Sequence, residues 1–178
     1  MRSRDMALAG IVAALYAVLV YVLPFASFLL WQVRVADALI ALSTVLGYPA
    51  VLGVAVGCFI GNILAAPWGN PALSAFDAVL GSLVNLAAGY AGYRISGKGG
   101  RRRRLAALIT QSLMVSVGVG SYLKYLLLWA FGTDIPLLLS IAGVLPGSLI
   151  SIVVLGFPLS LAVERSIRGS PFRADQAS

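Results

Sequence analysis

Six apolar runs, cut by glycine and proline breaks and by short charged stretches, fill most of this 178-residue chain. That pattern leaves one solvent that suits it. A helix crosses the hydrocarbon layer of a bilayer in about 20 residues, so the chain has room for six crossings joined by short loops. Composition agrees: 60% of residues are hydrophobic and 11% charged, with a mean hydropathy of +0.96. Soluble domains run at roughly 45–50% apolar and about 25% charged. Disorder, which needs few apolar residues, is excluded.

The runs fall at about 6–23, 35–46, 49–66, 77–93, 105–131 and 137–163. Pro24 stops the first, and Gly47-Tyr48-Pro49 separates a short second run from the third. Pro67-Trp68-Gly69-Asn70-Pro71 reads as a loop. The runs are too long for strands and lack sustained polar alternation. The expectation is one all-α membrane domain over 1–178, a bundle of six transmembrane helices. The first run is too long for a signal-peptide core and lacks a convincing cleavage site.

Charge sets a direction. With both termini cytoplasmic, Arg2, Arg4, Arg94, Lys98, Arg101, Arg102, Arg103, Arg104, Arg165, Arg168 and Arg173 lie inside, and only Arg34 and Lys124 fall toward the outside. Asp5, Glu164 and Asp175 go inside; Asp37, Asp77 and Asp134 go outside. The two sides then carry +8 and −1, together the +7 of the whole chain. The positive-inside rule favours this topology. The Arg101–Arg104 run reads as a membrane-surface anchor touching anionic lipid, not as a nucleic-acid reader, because nothing around it offers a folded reader of bases.

Several chemistries are absent. Without histidine, haem, zinc-hydrolase and Ser-His mechanisms are not expected, and the carboxylates come singly, with no acidic metal motif. The single cysteine, Cys58, excludes an internal disulfide and any CxxC site; in its apolar run it reads as a buried, inert thiol. No enzyme is expected, and no metal or cofactor of the chain's own.

Polar residues in membrane spans are costly and mark function or pairing. Here they gather toward the outer half: Arg34 and Asp37 at the head of the second span, Asn62 late in the third, Asp77 opening the fourth with Asn85 two turns deeper, and Lys124 in the fifth. The inner half holds almost none, which predicts a cavity open to the outside. Each has a local alternative. Arg34 and Asp37 can pair at i,i+3, Asp77 can cap its helix, Asn62 and Asn85 can bond neighbouring helices, and Lys124 can snorkel. Trp31, Trp68 and Trp129 suit an aromatic belt; Trp31 and Trp68 also suit stacking on a flat ligand. The uncharged loop from Ala66 to Phe76 is a lid candidate.

Small residues recur every fourth position: Ala9, Ala13 and Ala17; Gly53, Gly57 and Gly61; Ser112, Ser116 and Gly120; Gly143, Gly147 and Ser151. Such rows let helix backbones approach. The first, continued by Gly10 and Ala14 on the adjoining row, is the candidate for docking a partner helix.

Three stretches together resemble one family. Trp31-Gln32-Val33-Arg34-Val35-Ala36-Asp37-Ala38-Leu39, the glycine-rich run Gly53 to Asn62, and Asp77-Ala78-Val79-Leu80-Gly81-Ser82-Leu83 are similar in order and spacing to the second, third and fourth helices of the QueT family. These are queuosine-precursor carriers, substrate-binding (S) components of energy-coupling-factor (ECF) transporters in prokaryotic plasma membranes. The resemblance implies capture of a 7-deazaguanine base outside the cell. It also implies docking, through the Ala9–Ala13–Ala17 face, onto a membrane coupling subunit carrying two ATPases. The chain has no P-loop, so ATP and Mg would be used by those partners. In such a site Asp37 or Asp77 would accept the donor edge of the base and Arg34 would donate to its carbonyl. Asn62 and Asn85 would supply mixed donors and acceptors, and Trp31 or Trp68 would stack on the ring. An S component for another vitamin or nucleobase, a stand-alone secondary carrier and a structural membrane subunit are the competing expectations.

Overall fold

The computed structural model describes residues 2–24, 33–97 and 99–168, and these are helical with no strand among them. The helices are α1 (Ser3–Val22), α2 (Ser43–Leu46), α3 (Tyr48–Ala65), α4 (Pro71–Ser96), α5 (Arg101–Phe131), α6 (Leu137–Ser148) and α7 (Gly156–Arg168). A 3₁₀ segment, Val35–Leu42, leads into α2, and a π-helical segment, Leu149–Leu155, joins α6 to α7. Five helical units are long and apolar enough to cross a membrane: α1, α3, α4, α5 and the continuous α6–π–α7 unit. Their outward faces are apolar, with Ile11, Val18, Tyr21, Leu64, Leu83, Val117 and Leu138 all exposed. Outward apolar faces suit a lipid solvent, in which no water competes for backbone hydrogen bonds.

The short second run behaves differently. Every residue from Ala36 to Thr44 is buried, so Val35–Leu46 is the axial element around which the others pack. A segment apolar all round belongs inside. Stretched at about 2.0 Å per 3₁₀ residue, this unit spans roughly 22 Å, less than a hydrocarbon layer.

The glycine row of α3 meets the alanine row of α1. A methyl group at Gly57 would come within 2.6 Å of the Ala13 carbonyl oxygen, and one at Gly53 within 2.8 Å of the Ala9 carbonyl oxygen. Ala13 is buried and Ala9 and Ala17 half-buried in that contact, while Ala7, Gly10 and Ala14 remain exposed. The row considered for partner docking is therefore largely occupied by packing within the chain.

Helix starts also differ from the hydropathy runs. Asn70 caps α4, its side-chain oxygen accepting from the Ala72 N–H at 2.8 Å, and Pro71 takes the first helical position. The lid candidate thus shrinks to Ala66–Asn70, and Asp77 lies in the second turn of α4 instead of capping it. The basic run Arg101–Arg104 forms the first turn of α5. Arg104 is buried and pairs with Glu164 of α7 at 2.7 Å.

Candidate functional site

Around the head of the 3₁₀ segment, α1, α3, α4 and α5 turn polar side chains toward one another inside an apolar bundle. Arg34, Asp37, Asn62, Asp77 and Asn85 are all buried. The structure brings these five sequence candidates together with a sixth, Trp68 from the loop after α3.

Asp77 accepts from two donors: Trp68 Nε1 reaches Oδ2 at 2.9 Å and Tyr122 Oη reaches Oδ1 at 3.0 Å. Asn62 Nδ2 donates to the Asp77 backbone carbonyl at 3.4 Å. Asp37 accepts at Oδ1 from the Tyr16 hydroxyl at 2.5 Å, and Asn85 Nδ2 donates to the same phenol oxygen at 2.8 Å. Arg34 Nη1 lies 3.9 Å from Cys58 Sγ, and its charge acts on both carboxylates. Each buried carboxylate is thus held by phenol or indole donors, with a guanidinium as shared counter-charge. Burying a charge without such partners costs several kcal/mol.

One buried acceptor in the cluster is left over. Asn62 Oδ1 is buried with no hydrogen-bond partner. Close packing holds it in place: a methyl at Gly81 would come within 3.0 Å of Asn62 Nδ2, 3.1 Å of Tyr122 Oη and 3.3 Å of Cys58 Sγ. Acceptors therefore stand on the α3–α4 side and a cationic donor on the Arg34 side. Between Arg34, Asp37, Val115, Val119, Val144 and Ser148 lies a cavity of about 10 Å³, room for no more than one water.

One candidate stands apart, and one is not described. Lys124 is ion-paired with Asp134 and donates to the Ile135 carbonyl at 2.9 Å, tying the end of α5 to the chain that follows. Trp31 lies outside the described residues. Trp68 is only 4% exposed; it joins the cluster through its N–H and packs on Phe131, ring centroids 6.0 Å apart.

Sequence reasoning missed Tyr16 and Tyr122, which count as apolar mass in a hydropathy scan. Their depth was the available signal. Tyrosine in membrane helices favours the interfaces, and one buried mid-span needs a partner for its hydroxyl. It also missed a second set of buried polar contacts. Gln111 donates to Ser43 Oγ at 2.9 Å and to the Ile40 carbonyl at 3.3 Å. Ser116 and Ser148 share a 2.7 Å bond, and Ser112 donates to the Ser148 carbonyl at 3.2 Å. Gln111 lies toward the half of the bundle expected to be nearly free of polar groups, whereas Ser148 lines the small cavity beside Arg34 and Asp37. Among the described residues no group of three metal-ligating side chains gathers.

Membrane-length helices closed around buried carboxylates, an arginine and their hydroxyl and amide partners define a multi-pass membrane protein. The family model described as QueT transporter matches residues 6–165. The chain belongs to the QueT family, a family of transport proteins. No curated protein and no solved structure matches it.

Proposed function

We propose that this chain is the S component of an ECF-type importer that captures a queuosine precursor, or a related 7-deazaguanine base, and delivers it inward. One observation carries the reading: Arg34, Asp37, Asn62, Asp77 and Asn85, drawn from three segments of an apolar chain, are buried side by side. Intramembrane charges of this kind mark substrate pathways. A deazaguanine edge offers adjacent N–H donors, which suit Asp77 together with the unpartnered Asn62 Oδ1. Arg34, whose charge acts on both carboxylates, suits the ring carbonyl. A ligand lacking one of these groups would leave a buried partner unsatisfied, worth about 1–3 kcal/mol of discrimination.

In this reading the axial Val35–Leu46 unit counts as the second of six membrane segments. Both termini lie on the cytoplasmic side of a prokaryotic plasma membrane, which places the Arg101–Arg104 end inside. The cluster then faces the outer half. A coupling subunit and two ATPases supply the energy, and the exposed small residues of α1, with Ala9 and Ala17 at their margin, form the docking face.

The test is a thermal-shift panel on the purified chain in detergent with 7-deazaguanine bases, queuine, guanine, thiamine, biotin, riboflavin and folate. A ligand at 100 times its dissociation constant adds about 2.7 kcal/mol of stability. A selective shift with a deazaguanine supports the reading; a shift with another vitamin moves the substrate; no shift on folded protein removes the binding role. The two buried carboxylates also suit a proton-coupled carrier acting alone, and uptake in membranes lacking any ATPase module would favour that instead.

A further inference from the structure

The four arginines that open α5 are not equivalent. Arg101, Arg102 and Arg103 are exposed, whereas Arg104 is 7% exposed. Beside it lies a cavity of about 260 Å³ lined by Gly99, Gly100, Arg101, Arg104, Leu161, Glu164 and Arg165. Glu164 is the one acidic residue of this lining and pairs with Arg104 Nη2, while Arg104 Nε and Nη1 are buried with no hydrogen-bond partner. A native protein seldom leaves two buried guanidinium donors unmatched.

The backbone adds to the deficit. Gly100 is the N-cap of α5 and has no side chain to accept from the first turn. The first free N–H groups of that 31-residue helix therefore open beside the cavity, at the positive end of its dipole. Helix N–H groups and guanidinium forks suit the same ligand, a tetrahedral oxyanion with several acceptor oxygens. The cavity sits where a membrane-length helix begins, the depth at which basic pockets between helices take phospholipid head groups.

We propose that the cavity between the start of α5 and α7 is a phosphate-binding site, Arg104 Nε and Nη1 and the first-turn N–H groups holding the oxyanion and Arg101 and Arg165 flanking it. Glu164 competes with the anion for Arg104. The site is separate from the Arg34–Asp77 cluster and needs no ligand there. The phosphate belongs either to an anionic lipid or to a soluble phosphate.

The full-length chain in neutral detergent would be titrated with inorganic phosphate, with short-chain phosphatidylglycerol and with short-chain phosphatidylcholine, following thermal stability and, for the lipids, retention in native mass spectrometry. Saturable protection by phosphatidylglycerol but not phosphatidylcholine or phosphate identifies a head-group site; saturable protection by inorganic phosphate identifies a soluble source. Glu164→Gln should tighten binding several-fold, by removing the competing carboxylate. The double change Arg104→Gln and Glu164→Gln keeps an uncharged hydrogen-bonding pair across the same helices and should weaken binding at least tenfold. Failure of both anions to protect the wild-type chain overturns the proposal, as does equal protection of the folded double variant.

Discussion

Tyr16 donates its hydroxyl to Asp37 across 2.5 Å, joining the first helix to the axial 3₁₀ segment inside the bundle. The same phenol oxygen accepts from Asn85 at 2.8 Å. One hydroxyl therefore connects α1, the axial segment and α4, and Asp37 owes its placement to a residue that hydropathy counts as apolar.

Tyr16→Phe keeps the ring and deletes only that hydroxyl. It removes the bond the hydroxyl donates to Asp37 and the one it accepts from Asn85, and should cost about 1–3 kcal/mol. A lowered unfolding midpoint in detergent, with the helical circular dichroism unchanged, is the expected result.

Glycine positions on α1 and α3 should respond oppositely. Gly57→Val puts methyl groups where the Ala13 carbonyl already leaves only 2.6 Å, and that neighbour is backbone, which cannot rotate away. The α1–α3 contact must open, and folded yield should collapse. At Gly10 an added methyl meets nothing within 4 Å, so Gly10→Ala should leave stability unchanged or slightly raised. Size-exclusion profiles of the two variants decide it.

Gly92 makes room for Gln111. A methyl there would stand 1.9 Å from Gln111 Nε2 and 2.5 Å from its side-chain carbon. Gly92→Ala should therefore displace Gln111 from Ser43 and cost 1–3 kcal/mol, about the range for overpacking. Combining it with Gln111→Ala should recover part of that loss. A double-mutant cycle would show strong coupling between the two sites; additive effects would contradict the geometry.

Asp77→Asn and Lys124→Met separate the buried cluster from the periphery. If the base sits on Asp77, Asp77→Asn should weaken its binding by tenfold or more, about 1.4 kcal/mol. Lys124→Met removes an ion pair whose Asp134 partner is two-thirds exposed, so it should change stability by no more than about 1 kcal/mol and leave affinity alone. Isothermal titration of both variants with one ligand makes the comparison.

The membrane setting and the approximate helices were legible because lipid demands long apolar runs. The convergence of Arg34, Asp37, Asn62, Asp77 and Asn85 was legible because polar side chains are rare in such runs. What escaped was set by local or long-range detail. Asn70-Pro71 starts α4 earlier than hydropathy suggests, because a cap overrides a polarity change. Tyr16 and Tyr122 join the cluster through single atoms on largely apolar side chains. Lys124, grouped with the site by depth alone, is drawn away by Asp134, ten residues on. The Gln111–Ser43 contact pairs residues 68 apart, and nothing in either local stretch announces it.

The π-helical stretch Leu149–Leu155 governs more than its own seven residues. An α-helix turns about 100° per residue, so the wide turns set the rotational phase of everything that follows. Gly156 lies so close to the axial segment that a methyl there would stand 2.7 Å from Ala41 Cβ, and Glu164 faces Arg104. Both placements depend on that phase. Tightening the stretch by one residue would swing α7 by more than a quarter turn, carrying the glycine off the axis and the carboxylate off its arginine. The far end of the bundle is thus indexed, like a key in its slot, by a backbone irregularity several turns away.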